Sequence, residues 1–130
     1  MIANIVDDIT IRKAQTRDIP DILRLNRELN DVNCGTPESM KESLEKNKNE
    51  LVFVAIYNDK AVGFICGQLY SSICYTSMQC EITELVVSQN YRRKGVAGKL
   101  IRHLEQAFSK NNVHEIIVVT GVRNQAAQQG

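Results

Sequence analysis

The chain has 130 residues, a length that corresponds to one domain, so we expect a single domain over residues 1–130. Leu, Ile, Val and Phe together exceed the ~20% below which disorder is expected, so the chain can form a hydrophobic core. Its 16 basic and 15 acidic side chains leave a net charge of +1, which excludes the strongly basic composition typical of nucleic-acid-binding domains.

The cysteines and the apolar runs of the chain do not predict a metal site or a membrane segment. The four cysteines form no C-x-x-C pair and only two histidines accompany them, whereas a zinc site needs clustered ligands at short spacing. The start of the chain lacks the basic residues and the long apolar run of a signal peptide, and no apolar run approaches about 18 residues. We therefore expect a cytoplasmic protein with reduced thiols and no bound metal.

The first half of the chain predicts a strand followed by two helices. Residues 9–15 (ITIRKAQ) alternate apolar and polar side chains, the period of a half-buried strand. Thr16 or Asp18 can then cap a helix whose apolar residues recur at three- and four-residue spacing. These apolar residues are Ile22, Leu25, Leu29 and Val32. The sequence C-G-T-P ends that helix, and residues 37–48 are a second, mostly polar helix.

The second half predicts a hairpin, a further strand, a helix and a last strand. Residues 51–57 and 61–70 flank the turn N-D-K, which is typical of a β-hairpin. Residues 79–88 follow as another strand, and residues 94–110 form an amphipathic helix. The run 115–120 (EIIVVT) is short and continuously apolar, as expected of a central strand. The order β-α-α-β-β-β-α-β indicates one mixed α/β layer structure.

The stretch from Glu84 to Leu100, E-L-V-V-S-Q-N-Y-R-R-K-G-V-A-G-K-L, places cations and glycines where a strand runs into a helix. A helix N-terminus already carries about half a positive charge, so each added cation costs roughly 0.3–1 kcal/mol unless an anion binds nearby. A glycine in the helix costs up to ~1 kcal/mol relative to alanine. A phosphate on the exposed N–H groups would explain both features, and a solvated basic turn with glycines for close helix packing is the alternative.

The sequence R-R-K-G-V-A at residues 92–97 resembles the Arg/Gln-x-x-Gly-x-Gly/Ala motif of the GNAT superfamily of N-acetyltransferases, which bind acetyl-coenzyme A (acetyl-CoA). The upstream E-L-V-V-S-Q-N-Y is similar to that family's fourth strand and its turn, and residues 122–127 (VRNQAA) are similar to its Asn-x-x-Ala segment. The Walker and dinucleotide-binding glycine patterns do not fit. The resemblance covers about residues 8–130 and implies an α/β fold with a mixed, mostly antiparallel central sheet flanked by helices.

The resemblance also implies how acetyl-CoA, the co-substrate, would be held. Backbone groups of Leu85, Val86 and Val87, at a bulge in the strand, would hold the pantetheine arm, and Asn124 would bond the pantetheine or its thiol end. The co-substrate would enter a gap where this strand and the last strand splay apart. The motif would cradle the pyrophosphate through its N–H groups and cations. The motif residues concerned are Arg92, Arg93, Lys94, Gly95, Val96, Ala97, Gly98 and Lys99.

Acetyl transfer to an amine needs a proton acceptor, because an alkylammonium has a pKa near 10.4. The strand offers two candidate general bases, Glu81 and Glu84, which lie on opposite faces if it is regular. Glu81 is favoured because it shares a face with Thr83, where several family members place a carboxylate. A bulge near Leu85 would reverse the facing and favour Glu84, and both could equally be solvent-facing residues. In the family the amine attacks the thioester directly, so three cysteines are interpreted as small core or strand residues: Cys66, Cys74 and Cys80.

The acceptor in this family contacts the first two helices, where acidic residues cluster. These residues are Glu28, Asp31, Glu38, Glu42 and Glu45. They suit a cationic amine such as an aminoglycoside, a polyamine or a basic peptide, and they equally suit a solvated helix face. The prediction is an N-acetyltransferase acting on a small-molecule or peptide amine, with a non-catalytic acyl-CoA-binding regulatory or interaction module as the alternative. Nucleic acid is not an expected partner, because aromatic residues make up 5% of the chain and no second basic patch is present.

The end of the chain differs from the family pattern. Family members continue past the position of Asn124 with a fourth helix and two more strands, whereas this sequence ends at Gly130. We therefore expect a C-terminally truncated fold in which the last strand exposes an unpaired apolar edge. Such an edge favours association, so we expect a homo-oligomer or a fragment of a longer protein, with slow turnover.

Overall fold

The computed structural model describes residues 5–29, 35–74, 76, 78–109 and 113–118 of the protein. It contains three helices and five strands in the predicted order. In chain order these are β1 (Thr10–Lys13), α1 (Ile19–Leu29), α2 (Pro37–Lys46), β2 (Glu50–Tyr57), β3 (Lys60–Tyr70), β4 (Met78–Val87), α3 (Val96–Ser109) and β5 (Val113–Val118). In the part of the chain that the structure describes, no helix is long and apolar enough to cross a membrane.

The five strands form one sheet in the order β1-β2-β3-β4-β5. The first three pairings are antiparallel and the pairing of β4 with β5 is parallel. The predicted α/β class with a mixed, mostly antiparallel sheet is therefore confirmed. The sequence predicted a central position for the last strand, but in the described residues β5 lies at the end of the sheet, beside β4 alone.

The β2–β3 hairpin follows from its turn chemistry. Asn58 and Asp59 both adopt positive φ, 51° and 63°, the left-handed conformation that a two-residue turn requires and that Asn and Asp tolerate. The residues that flank them, Tyr57 and Lys60, are paired in the sheet. The hairpin predicted from N-D-K is therefore present.

The sheet is covered by helices on both faces, and each face has its own apolar core. On one face α3 contributes Leu100, Leu104 and Phe108, all fully buried. On the other face α1 contributes Ile22 and Leu25, which pack against residues of β2, β3 and β4. β4 runs between the two layers, so its alternate side chains face different helices.

The connection from β1 into α1 is fixed by a half-buried ion pair between Arg12 and Asp18. Arg12 donates two hydrogen bonds, of 2.7 and 2.8 Å, to the carboxylate of Asp18, and the backbone N–H of Gln15 donates a third. Burial raises the pKa of the Asp18 carboxyl, but these hydrogen bonds outweigh burial and leave the pKa below its ordinary value. The helix begins at the next residue, Ile19.

Candidate active site

The basic turn predicted from the sequence lies between β4 and α3. The chain leaves β4 through a short 3₁₀ turn, Gln89–Tyr91, and Arg93 and Gly95 then adopt positive φ values of 63° and 88°. The first α-helical hydrogen bond runs from the N–H of Lys99 to the carbonyl of Gly95, at 3.1 Å. The N–H groups just before Lys99 therefore precede the first helical bond and project from the end of α3, where an anion can bind.

Gly98 leaves open space at this helix end. A Cβ added to Gly98 would meet, among the described residues, only the tip of the Arg102 side chain, at 3.4 Å. A side chain at this position would therefore project into space that is free for a ligand. Since Gly98 lies in the first turn of α3, it places no side chain in the way of an anion that approaches the N–H groups there.

The four cations of this region have different roles. Arg93 and Lys94 are exposed beside the turn. The Nε of Arg92 donates to the carbonyl of Val87 at 3.0 Å and thereby fastens the turn to the end of β4. The ammonium group of Lys99 donates to the carbonyls of Val6 and Ile9, and the backbone N–H of Lys99 donates to the carbonyl of Gly95 within the helix. The predicted cradle therefore does not include Lys99, which instead ties α3 to the start of the chain.

The backbone of β4 presents outward groups at two of the predicted positions. The N–H of Ser88 donates to the carbonyl of Val62 on β3 at 2.8 Å, so these opposed residues form a hydrogen-bonded pair. Hydrogen-bonded and non-hydrogen-bonded pairs alternate along antiparallel strands, so Val86 bonds to β3. By the same alternation Leu85 and Val87 turn their N–H and C=O groups away from β3.

The described part of β5, residues 113–118, runs beside the first half of β4. The register ends at the pair of Ile82 with Val118, and no described strand continues alongside Leu85 and Val87. Within the described residues this strand edge is therefore unpaired, apart from the carbonyl of Val87, which accepts the hydrogen bond from Arg92; the resemblance places the gap for the pantetheine arm here. Val86 was predicted with them, but its backbone is engaged by β3.

β4 carries a bulge at Thr83. Cys66 of β3 lies opposite Glu84, whereas the next residue, Gly67, lies opposite Ile82, so Thr83 has no residue across from it. The hydroxyl of Thr83 lies 3.5 Å from the carbonyl of Cys66. The bulge is two residues earlier than the position expected from the sequence.

The bulge places Glu81 and Glu84 on the same face of the sheet. Glu81 lies opposite Gln68 and Glu84 lies opposite Cys66, and alternate residues of a strand share a face. The expectation that the two glutamates face opposite ways was therefore wrong. It assumed a regular strand, whereas Thr83 adds one residue between them.

A cavity of about 240 Å³ lies on this face, between the sheet and the helices α1 and α2. Its apolar wall is formed by Ile22, Met40, Leu44, Val52 and Phe64. Its polar side chains are those of Asn26, Ser39, Ser43, Glu50, Cys66 and Glu84. Glu84 therefore reaches the cavity, whereas Glu81 is not among the described residues that line it.

Glu50 is a cavity residue that the sequence analysis missed. It is the first residue of β2, and one carboxylate oxygen accepts a hydrogen bond of 2.7 Å from the hydroxyl of Ser43 on α2. The other oxygen accepts one of 2.6 Å from the side-chain amide of Gln68 on β3. A glutamate just before an apolar strand would have been the available signal, but its partners become visible only in the fold.

The acidic residues predicted near the acceptor do not form this site. Among those that the structure describes, none lines the cavity. Glu28 accepts a hydrogen bond of 3.3 Å from the backbone that follows β4, and Glu42 forms a surface ion pair of 3.8 Å within α2. Glu38 and Glu45 are exposed, and Asp31 lies outside the described residues.

The described cysteines differ in exposure. Cys66 and Cys80 lie in strands as expected, whereas Cys74 is exposed in the turn between β3 and β4, not in the core. Burial, with the nearby carboxylates of Glu50 and Glu84, raises the pKa of the Cys66 thiol. Burial raises the pKa of Cys80 to about 12. The two strand thiols are therefore poor nucleophiles, because the thiolate is the reactive form.

Asn124 lies outside the described residues. His103 of α3 packs edge-on against Phe53, with ring centroids 4.8 Å apart. No group of three or more His, Cys, Asp or Glu in the described ranges is arranged to hold a metal.

A model of the Acetyltransferase (GNAT) family matches residues 19–129. The chain belongs to this family. A curated relative of this GNAT protein, an uncharacterised N-acetyltransferase of Chlorobaculum tepidum, is 26% identical over 113 residues, which are 87% of this chain and 68% of the relative.

Solved structures share the fold of this GNAT protein. An aminoglycoside acetyltransferase from an uncultured soil metagenomic sample, in complex with sisomicin, superposes with a TM-score of 0.79 at 23% identity. That match covers 95% of this chain and 85% of the other. A ribosomal-protein-alanine N-acetyltransferase of Brucella melitensis superposes with a TM-score of 0.76 at 16% identity, covering 92% and 86% of the two chains.

Proposed function

We propose that this protein transfers the acetyl group of acetyl-CoA directly to the amine of a small cationic acceptor. The observation that carries the proposal is the arrangement around β4. Among the described residues, the strand edge at Leu85 and at the N–H of Val87 is unpaired, and the strand leads through the basic turn to the exposed N–H groups at the start of α3. The neighbouring residue, Glu84, contributes its side chain to the lining of the cavity. One strand thus serves a donor site and an acceptor site together.

The donor side is assembled from backbone groups and two exposed cations. The N–H groups at the start of α3, with Arg93 and Lys94 beside them, would bind the pyrophosphate of acetyl-CoA. The outward N–H and C=O of Leu85 and the N–H of Val87 would hydrogen-bond the amides of the pantetheine arm as a further strand would, while the carbonyl of Val87 stays bonded to Arg92. Acetyl-CoA supplies an activated acetyl group as a thioester. An N–H at the open edge of β4 would stabilise the oxyanion that develops during transfer.

The acceptor side needs a group that removes a proton. The pKa of an alkylammonium, near 10.4, lies about 3.4 units above pH 7. Removing its proton at that pH therefore costs roughly 4–5 kcal/mol. Glu84 is our proposed general base, directly or through a water molecule, because its side chain lines the cavity next to the open edge. Glu81, on the same face but outside the cavity lining, is the second candidate.

The decisive experiment measures thiol release from acetyl-CoA with a panel of primary amines, for the wild type, Glu84→Gln and Glu81→Gln. We expect amine-dependent release by the wild type. Glu84→Gln should lower kcat by roughly 10²–10⁴-fold, with recovery as the pH approaches the pKa of the amine. Glu81→Gln, the matched control on the same face, should change kcat by less than about tenfold.

Three outcomes would change this proposal. A larger loss with Glu81→Gln would make Glu81 the base. Equal, small losses with both variants would remove a carboxylate base from the mechanism. Binding of acetyl-CoA without thiol release for any amine would identify a non-catalytic acyl-CoA-binding module.

A further inference from the structure

The cavity holds a second carboxylate at a distance from Glu84. Glu50 lies opposite Gln68 on β3, and Glu84 lies opposite Cys66, two residues along the same strand. From the spacing of strands and the rise per residue, the Cα atoms of Glu50 and Glu84 are about 12 Å apart. β3 lies between them, so the two carboxylates approach the cavity from different sides.

Glu50 is held in a defined position. Both of its oxygens accept hydrogen bonds, from Ser43 on one side and from Gln68 on the other. These partners are neutral, and no Lys, Arg or His is among the described residues that line the cavity. Two hydrogen bonds also leave the carboxylate with lone pairs for a further donor. Glu50 therefore offers a fixed, charged acceptor to a cation inside the cavity.

Part of the cavity wall is hydrocarbon, and Cys66 of β3 lies between the strands that carry the two carboxylates. Five apolar side chains line the cavity: Ile22, Met40, Leu44, Val52 and Phe64. The volume of about 240 Å³ is below the roughly 300–1,000 Å³ of sites that hold drug-sized ligands. The cavity is thus small and combines two carboxylates at different places with an apolar part of its wall.

We propose that Glu50 determines acceptor specificity by binding a second ammonium group, so that the preferred acceptor is a compact aliphatic diamine. One amine would lie at Glu84 and react, the other would lie at Glu50, and the methylene chain would pack on the apolar wall. This inference rests on the proposed function, because it assigns the substrate class of the same site.

The test compares matched acceptors that differ by one ammonium group. Acetyl transfer is measured with butylamine, 1,4-diaminobutane and longer α,ω-diamines, for the wild type, Glu50→Gln and Glu50→Asp. The wild type should favour a diamine over the monoamine by about 10- to 100-fold in kcat/KM, since a hydrogen bond to a charged group is involved. Glu50→Gln should raise KM for the diamine by about 10- to 100-fold and change KM for the monoamine less, so that the preference is lost, and Glu50→Asp should retain part of it.

Direct binding of the diamine, measured by calorimetry, separates the two proposals. Equal kcat/KM for monoamine and diamine, or an equal effect of Glu50→Gln on both, would overturn the role of Glu50 and leave the acetyltransferase intact. Diamine binding that Glu50→Gln abolishes, without turnover of any amine, would support the Glu50 site and overturn the proposed function. If the protein shows no turnover of any amine and no diamine binding, both proposals are overturned.

Discussion

Gly98→Ala should stabilise the protein and weaken its affinity for acetyl-CoA at the same time. Gly98 is the third residue of α3, and a Cβ there would meet the flexible tip of Arg102 at 3.4 Å. Alanine is therefore accommodated by the folded chain. Gly95 cannot provide this test, because its φ of 88° makes any side chain there strained and mixes loss of fold with loss of binding.

The two effects have opposite signs and measurable sizes. Replacing a helical glycine by alanine contributes up to about 1 kcal/mol, which for a chain of this length raises Tm by about 3–5 °C. The new methyl group would occupy the space above the helix end and keep the pyrophosphate from its N–H donors. A hydrogen bond to a charged group contributes about 1.5–3 kcal/mol, so the Kd should rise by about 10- to 100-fold.

The assay is thermal unfolding with and without acetyl-CoA. At a concentration of about 100 times Kd the ligand stabilises the wild type by about 2.7 kcal/mol, whereas a 100-fold weaker Kd leaves about 0.4 kcal/mol. Glu105→Ala, at an exposed position of the same helix, is the control that should retain the full ligand-induced shift. A Gly98→Ala variant with the full shift would refute the position of the pyrophosphate at this helix end.

Three further predictions concern the framework of the site. Asp18→Asn breaks the half-buried pair with Arg12 and should cost about 1.5–3 kcal/mol. The pKa of Asp18 in the folded protein lies below the ordinary 3.8, so this contribution to stability is present above that value and is lost as the pH falls. Below about pH 5, the free energy of unfolding in urea should therefore depend less on pH in the variant than in the wild type. An equal pH dependence of the two proteins would contradict the pairing. Gly67→Ala places a Cβ 2.8 Å from the Phe108 ring and should lower the free energy of unfolding, measured with urea, by about 1–3 kcal/mol, whereas an unchanged free energy of unfolding would mean that α3 moves aside without cost. Lys99→Met should speed hydrogen exchange in the 5–9 segment without weakening the binding of acetyl-CoA. A large loss of affinity would mean that Lys99 does contact the pyrophosphate.

The element order could be predicted from the sequence because the signals that set it are local. An alternation of apolar residues, the N-D-K turn and the stripe of α3 each lie within one segment, and the structure contains the corresponding elements within a few residues of the expected bounds. The basic turn before α3 could be predicted for the same reason, since R-R-K-G-V-A is one continuous run. The partners of Lys99 and Glu50 are distant in sequence, so no local pattern indicates them.

The position of the β4 bulge shows where local patterns stop being sufficient. Period-two alternation assigns Glu81 and Glu84 to opposite faces, and one extra residue at Thr83 reverses that assignment for every residue that follows. Whether a strand contains that residue depends on its pairing with β3, which belongs to another part of the chain. The same insertion allows Leu85 to keep its side chain in the α3 core while Glu84 reaches the cavity. Deleting Thr83 removes the extra residue, so Glu84 should follow Ile82 directly, remain opposite Cys66 and keep facing the cavity, and the variant should retain the base.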